Sequence, residues 1–207
     1  MIILTPIFNA YVRWRHSRGF GVHSPFAYNL VKMAVSPGTD YAYYGYTAID
    51  RVILAPGFRG YPHSRSDARL LLRFLVQLGS RRLILPEGLP AMLAAAEAAA
   101  VATCVYPSDG ETLPTPQDGD LLVATPSGPS PESLVSRLSS GSVILLLNPS
   151  EACVKAIYGA FEATAECKSQ ATENRGHGLI LHGTRLLLAV PRQEMAFVAY
   201  TMRFGNT

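Results

Sequence analysis

RLILPEGLPAMLAAAEAAAVATCVY, residues 82–106, holds two short apolar runs separated by an alanine-rich stretch. Arg82 to Leu85 suits a parallel strand buried on both faces, and Ala102 to Tyr106 suits a second. Between them Pro90 to Ala100 reads as a helix, with Pro90 in its first turn. The same alternation extends downstream. Leu121 to Ala124 is a third strand, and Pro131 to Leu138 a helix capped by Ser130 and stopped by Ser139 to Gly141. Val143 to Leu147 is a fourth strand, and Ala152 to Ala163 a helix. Strand and helix alternating at this spacing predict right-handed crossovers and a doubly wound, mostly parallel α/β sheet.

Upstream, Ser66 to Leu78 is a helix: Ser66 caps it, Asp67 suits its dipole, Leu70, Leu71, Phe74, Leu75 and Leu78 form its apolar stripe, and Gly79 ends it. At the other end two strands are expected, Gly178 to Ala189 with a break near Gly183, and Ala196 to Arg203. Pro191, Arg192 and Gln193 read as the turn between them, which predicts an antiparallel hairpin at one edge. The chain divides near residue 62: residues 1–62 form an N-terminal helical and aromatic extension, and residues 63–207 the α/β domain. In the extension, Ser24 to Val35 can form a helix, with Pro25 in its first turn. Tyr41, Tyr43, Tyr44 and Tyr46 follow, read either as a packed aromatic patch or as a stacking wall for a flat ligand.

Composition excludes several classes. With 48% hydrophobic and 16% charged residues, the chain is too apolar to be disordered, and it is poor in charge for a free monomer, so a homo-oligomer is expected. A net charge of +3 does not suggest a nucleic-acid binder. Cys104, Cys153 and Cys167 are scattered without metal-ligand spacing. No apolar run is long enough to span a bilayer. The N-terminus is apolar first and basic afterwards, the reverse of a secretory signal, so the expected location is the cytoplasm. A competing reading puts Ile2, Ile3, Ile7, Phe8 and Trp14 on a membrane surface beside Arg13, Arg15 and Arg18, with Pro6 counting against it.

RGFGVHSPFAYNLV, residues 18–31, followed by YAYYGYTAID, resembles the opening of one bacterial family of class I S-adenosylmethionine-dependent methyltransferases. The resemblance is specific in residues over Arg18 to Phe26, and covers most of the chain in the order of its elements. It implies a parallel sheet with a final antiparallel hairpin, S-adenosylmethionine as cofactor, and a cofactor site at the carboxyl ends of the first strands. The residues carried over are Glu87 and Gly88 after the first strand, Asp109 for the ribose hydroxyls after the second, and Thr125 after the third.

The departures are specific. The turn after the first strand holds one glycine between Pro86 and Pro90, and proline offers no N–H to a ligand. Asp109, three residues beyond Tyr106, is read either as the ribose partner or as a turn cap. Ser108 to Asp120 is rich in Pro, Gly, Asp and Thr, so one strand–helix unit is missing from that edge. Thr125 and Asn148 stand where related O-methyltransferases carry acids, and neither can act as a general base. Glu87 is expected to pair with Arg81 or Arg82. A degenerate member is implied, with weak or absent binding of the cofactor and an unknown acceptor. The alternative is a non-catalytic binding or scaffolding homo-oligomer.

Other chemistry is thin. Among five histidines no metal-binding or triad motif occurs. Arg18, His23 and Ser24 at a helix start, with Asn148, form the candidate anion or substrate site; the rival reading is that Arg18 and His23 pin the N-terminal segment to the sheet. Gly176 to Gly178 with Arg175 reads as a loop before a strand, or as an anion cradle.

Overall fold

The computed structural model describes residues 4–17, 21–35, 43–61, 63–107, 113–166 and 177–204. Its strands are β1 (Arg82–Pro86), β2 (Ala102–Tyr106), β3 (Asp120–Ala124), β4 (Val143–Leu147), β5 (His177–His182), β6 (Leu186–Ala196) and β7 (Val198–Thr201). They form one sheet in the order β2-β1-β3-β4-β6-β5-β7. The runs at Arg82, Ala102, Leu121 and Val143 are neighbouring parallel strands, as their continuous apolar character predicts. β6 is antiparallel to both β4 and β5, and β7 is parallel to β5. All strands but β6 therefore point the same way, and their carboxyl ends share one edge.

Helices cover both faces. α4 (Ser64–Leu78) and α5 (Pro90–Ala98) pack on one face, α6 (Pro131–Ser139) and α7 (Glu151–Glu166) on the other. The first layer buries Leu83, Leu121, Leu145, Leu181 and Leu188, which alternate with Ile84, Leu122, Ile144, Ile180 and Leu187 in the second. Ser66 is not the cap of α4: the helix starts two residues earlier, His63 occupies the cap position without a side-chain bond, and the Ser66 hydroxyl donates to His63 O at 3.0 Å. Gly79 does end it, in the left-handed region at φ 62°.

The N-terminal helices share the first core layer. α1 (Leu4–Ser17) accommodates Pro6 in its first turn, where the missing N–H breaks no helical bond. His16 Nδ1 lies 3.1 Å from Thr201 O, and its ring meets Tyr200 edge-on, which seats α1 on β7. α2 (Pro25–Leu30) runs on as a π-helical turn, Val31–Val35, and buries Ala27, Leu30, Val31, Ala34 and Val35. The tyrosine-rich stretch lies largely in a helix, α3 (Tyr43–Ile53). Gly45 lets α3 approach α4 closely, since a Cβ there would meet Leu72 Cδ2 at 2.2 Å. Arg69 stacks over the Tyr46 ring at 4.7 Å, and Arg73 Nη1 donates to the Tyr46 hydroxyl at 2.8 Å. Tyr46 is thus a packed residue. Tyr41 and the side chains of Tyr43 and Tyr44 lie outside the described residues.

The C-terminal region corrects the sequence reading. The reversal falls at Thr184 and Arg185, where Gly183 N–H donates to Leu186 O at 2.8 Å. Residues 191–193 are not a turn between strands but belong to β6. Gly178 pairs with Pro191 while His177 pairs with Ala196, so residues 192–195 loop out of the ladder. Proline, which has no N–H to give, marks where the strand leaves its partner. The last strand joins β5 in parallel rather than closing a hairpin with β6.

Residues 113–119 contain no helix or strand. They run along the amino edge of the sheet. There Arg82 Nη2 donates to Thr115 O at 2.8 Å and Asp120 accepts from Gln117 N at 2.8 Å. Arg137 donates to Pro114 O. β2 is left as an edge strand.

Candidate functional site

In a sheet wound in both directions, ligands collect where the carboxyl ends of neighbouring strands diverge, here between β1 and β3. Glu87 and Gly88 stand at the tip of β1. Glu87 N–H donates to Tyr106 O at 2.9 Å and so extends the β1–β2 ladder, while its side chain is exposed. The expected pair with Arg82 does not form. Arg82 instead binds the buried Asp120 in a fork, at 2.8 and 2.5 Å, at the opposite end of the strand. Gly88 takes φ +81°, and a Cβ there would meet nothing within 4 Å. The glycine is needed for its backbone angle, not for close approach to a neighbour.

The cavity beside this tip is bounded by Phe58, Tyr61, Ser64, Gly88, Leu89 and Met92, and holds about 10 Å³, room for about one water. Thr125, at the tip of β3, opens a tight turn in which Gly128 N–H donates to Thr125 O at 3.0 Å. A second small cavity, about 10 Å³, lies there among Thr125, Leu134, Leu147 and Cys153. Asn148, at the tip of β4, is held in the left-handed region at φ 47°. Asparagine tolerates that region better than most residues. Its N–H donates to Arg185 O at 2.6 Å, which ties the β4 tip to the β5–β6 turn.

Of the described anion-site residues, His23 and Ser24 lie at the start of α2 and Asn148 at the tip of β4. Ser24 caps α2, accepting from Ala27 N at 3.4 Å, and its hydroxyl lies 3.0 Å from Met195 Sδ. His23 N–H donates to the Tyr200 hydroxyl at 3.3 Å. Both fasten α2 to the outer strands. Arg18, Asp109, Arg175 and Gly176 lie outside the described residues. His177 and Gly178 open β5. Among the described residues no three His, Cys, Asp or Glu side chains come together as a metal site, and no helix is long and apolar enough to cross a membrane.

The structure assembles a polar cluster that sequence spacing does not announce. Asp67, on the first turn of α4, is 3% exposed rather than solvated at the helix end. Arg185 Nη1 donates to both of its oxygens at 3.2 Å, across 118 positions of sequence. Burial pushes the Asp67 carboxyl above its ordinary value, and Arg185 opposes the rise. Tyr61 adjoins them. Its buried hydroxyl makes no hydrogen bond of regular geometry, and burial, then the Asp67 charge, holds it well above the usual phenol range. Asp67 reads in sequence as a dipole-matching helix residue, and no periodicity links it to Arg185.

No protein-family model and no curated protein matches the sequence.

Proposed function

We propose that this chain is a class I S-adenosylmethionine-dependent methyltransferase-like protein that keeps the sheet of that class but not its cofactor seat, and that it acts by binding rather than by methyl transfer. The observation that carries the reading is the sheet itself. Four parallel strands are followed by an antiparallel hairpin whose second strand, β6, lies between β4 and β5. That agrees with the architecture implied by the Arg18 to Phe26 resemblance.

The described residues at the β1 tip do not make a fit for the cofactor. Sites that bury a drug-sized ligand enclose roughly 300–1,000 Å³, and the cavity beside Gly88, lined in part by Phe58 and Tyr61, holds about 10 Å³. Backbone donors are also reduced: Pro86 and Pro90 have none, and Glu87 N–H is bound to Tyr106 O. A polar ligand left unmatched there loses roughly 1–3 kcal/mol per group.

Thermal melting with S-adenosylmethionine tests the reading. A ligand at 100 times its Kd adds about 2.7 kcal/mol, or about 5–10 °C in Tm for a chain of this size. The expected shift at roughly 1 mM is under about 1 °C, and a shift of several degrees at that level would restore the enzyme.

A further inference from the structure

We propose that the groove at the carboxyl ends of β5 and β7 is a binding site for a small organic phosphate monoester. It holds about 260 Å³, room for a small ester. One wall is α1, through Ala10 and Arg13. The other is the β5–β6 turn, through Thr184 and Arg185, and the segment after β7, through Met202, Arg203 and Phe204. It lies along the sheet edge from the β1 tip, and it holds whether or not S-adenosylmethionine binds there.

Among the described residues, three arginines and no acid line this groove. They come from the N-terminal helix, the hairpin turn and the tail, so only the fold collects them. Arg185 is fixed from behind by the buried Asp67, which holds its guanidinium in place at the groove. Arg13 and Arg203 have partners of their own in the fold, and what they bring to the groove is charge. That charge is felt next door. His182, which ends β5, is held below its ordinary value first by burial and then by Arg13.

The class of ligand follows from the lining. Guanidinium forks match phosphate oxygens in bidentate geometry, and a phosphate monoester carries about −1.5 to −2 charges at pH 7, more than a carboxylate does. Thr184 adds a hydroxyl donor. The remaining lining, Ala10, Met202 and Phe204, is apolar and suits the organic part of an ester rather than a free ion. Phe204 reaches over the turn because Gly183 has no side chain: a Cβ there would lie 2.5 Å from its ring.

Calorimetry on the full chain at fixed ionic strength tests this, with phenyl phosphate as the probe and inorganic phosphate and phenylacetate as comparators. Saturable binding is expected for phenyl phosphate, weaker binding for inorganic phosphate, and weakest for phenylacetate. Arg203→Ala should weaken phenyl phosphate about tenfold or more, and Arg13→Ala with Arg203→Ala further still. Circular dichroism checks that the variants fold. Thr184→Val, which touches no ion pair, should weaken binding severalfold if an arginine variant does not fold. The proposal is overturned by the absence of saturable heat with phenyl phosphate. It is also overturned by affinity unchanged in the folded variants, or by phenylacetate binding as tightly as phenyl phosphate.

Discussion

Removing Arg185 leaves the Asp67 carboxylate buried without its cation, and the effect has both a size and a pH dependence. Breaking one partner of a buried ion pair costs about 3–5 kcal/mol. Here a single nitrogen spans both carboxylate oxygens at 3.2 Å, longer than the best charge-assisted bonds, so the lower figure applies. Arg185→Ala should therefore destabilise by about 3 kcal/mol at neutral pH, or about 6–12 °C in Tm. Burial raises the folded-state pKa of Asp67 above its unfolded value. A raised carboxyl pKa means that the folded chain binds the proton more readily. The stability Asp67 contributes is then complete below about pH 4 and is lost as pH rises through the folded pKa. Taking away Arg185 removes what opposes the rise, so the loss continues to higher pH. Urea unfolding at pH 5 and pH 8 reads this directly: the deficit of Arg185→Ala against wild type should be smaller at pH 5. Asp67→Asn combined with Arg185→Met should cost less than Arg185→Ala alone, because no charge is stranded. A cost below about 1 kcal/mol, or one equal at both pH values, would refute the buried-pair argument.

Two further substitutions probe the packing. Gly178→Ala forces a side chain at φ +140° and places a Cβ 2.4 Å from Val190 O, so about 2–4 kcal/mol of destabilisation is expected in urea titrations, with a loss under 1 kcal/mol counting against the bulge geometry. Tyr61→Phe removes a buried hydroxyl that makes no regular hydrogen bond, so its urea midpoint should stay within about 0.5 kcal/mol of wild type, and a loss of 2 kcal/mol would mean that the hydroxyl does bond Asp67.

How much of this was legible in sequence depends on how the residues are buried. β3 and β4 are buried along their whole length, and β1 nearly so, which is why they read as continuous apolar runs. α3 was not legible as a helix, because YYGYT combines tyrosines, a glycine and a β-branched residue, all weak helix formers. Tertiary contact decides there: Ile49 is buried in the core and Gly45 sits under Leu72. Pro191 to Gln193 carry the chemistry of a turn, and a looped-out strand segment uses the same residues. Sequence placed Glu87, Gly88, Thr125 and Asn148 at strand tips, and the structure has them there. Arg13, Asp67, Arg185 and Arg203 come from four separate elements, and no local spacing relates them.

The most direct measurement is a calorimetric titration of S-adenosylmethionine into the purified full-length chain. With a cavity of only about 10 Å³ at the β1 tip, no saturable heat is expected at cofactor concentrations up to about 1 mM. Micromolar binding that disappears in Glu87→Ala would contradict the loss of the cofactor seat and replace the binding-only proposal with an enzyme reading.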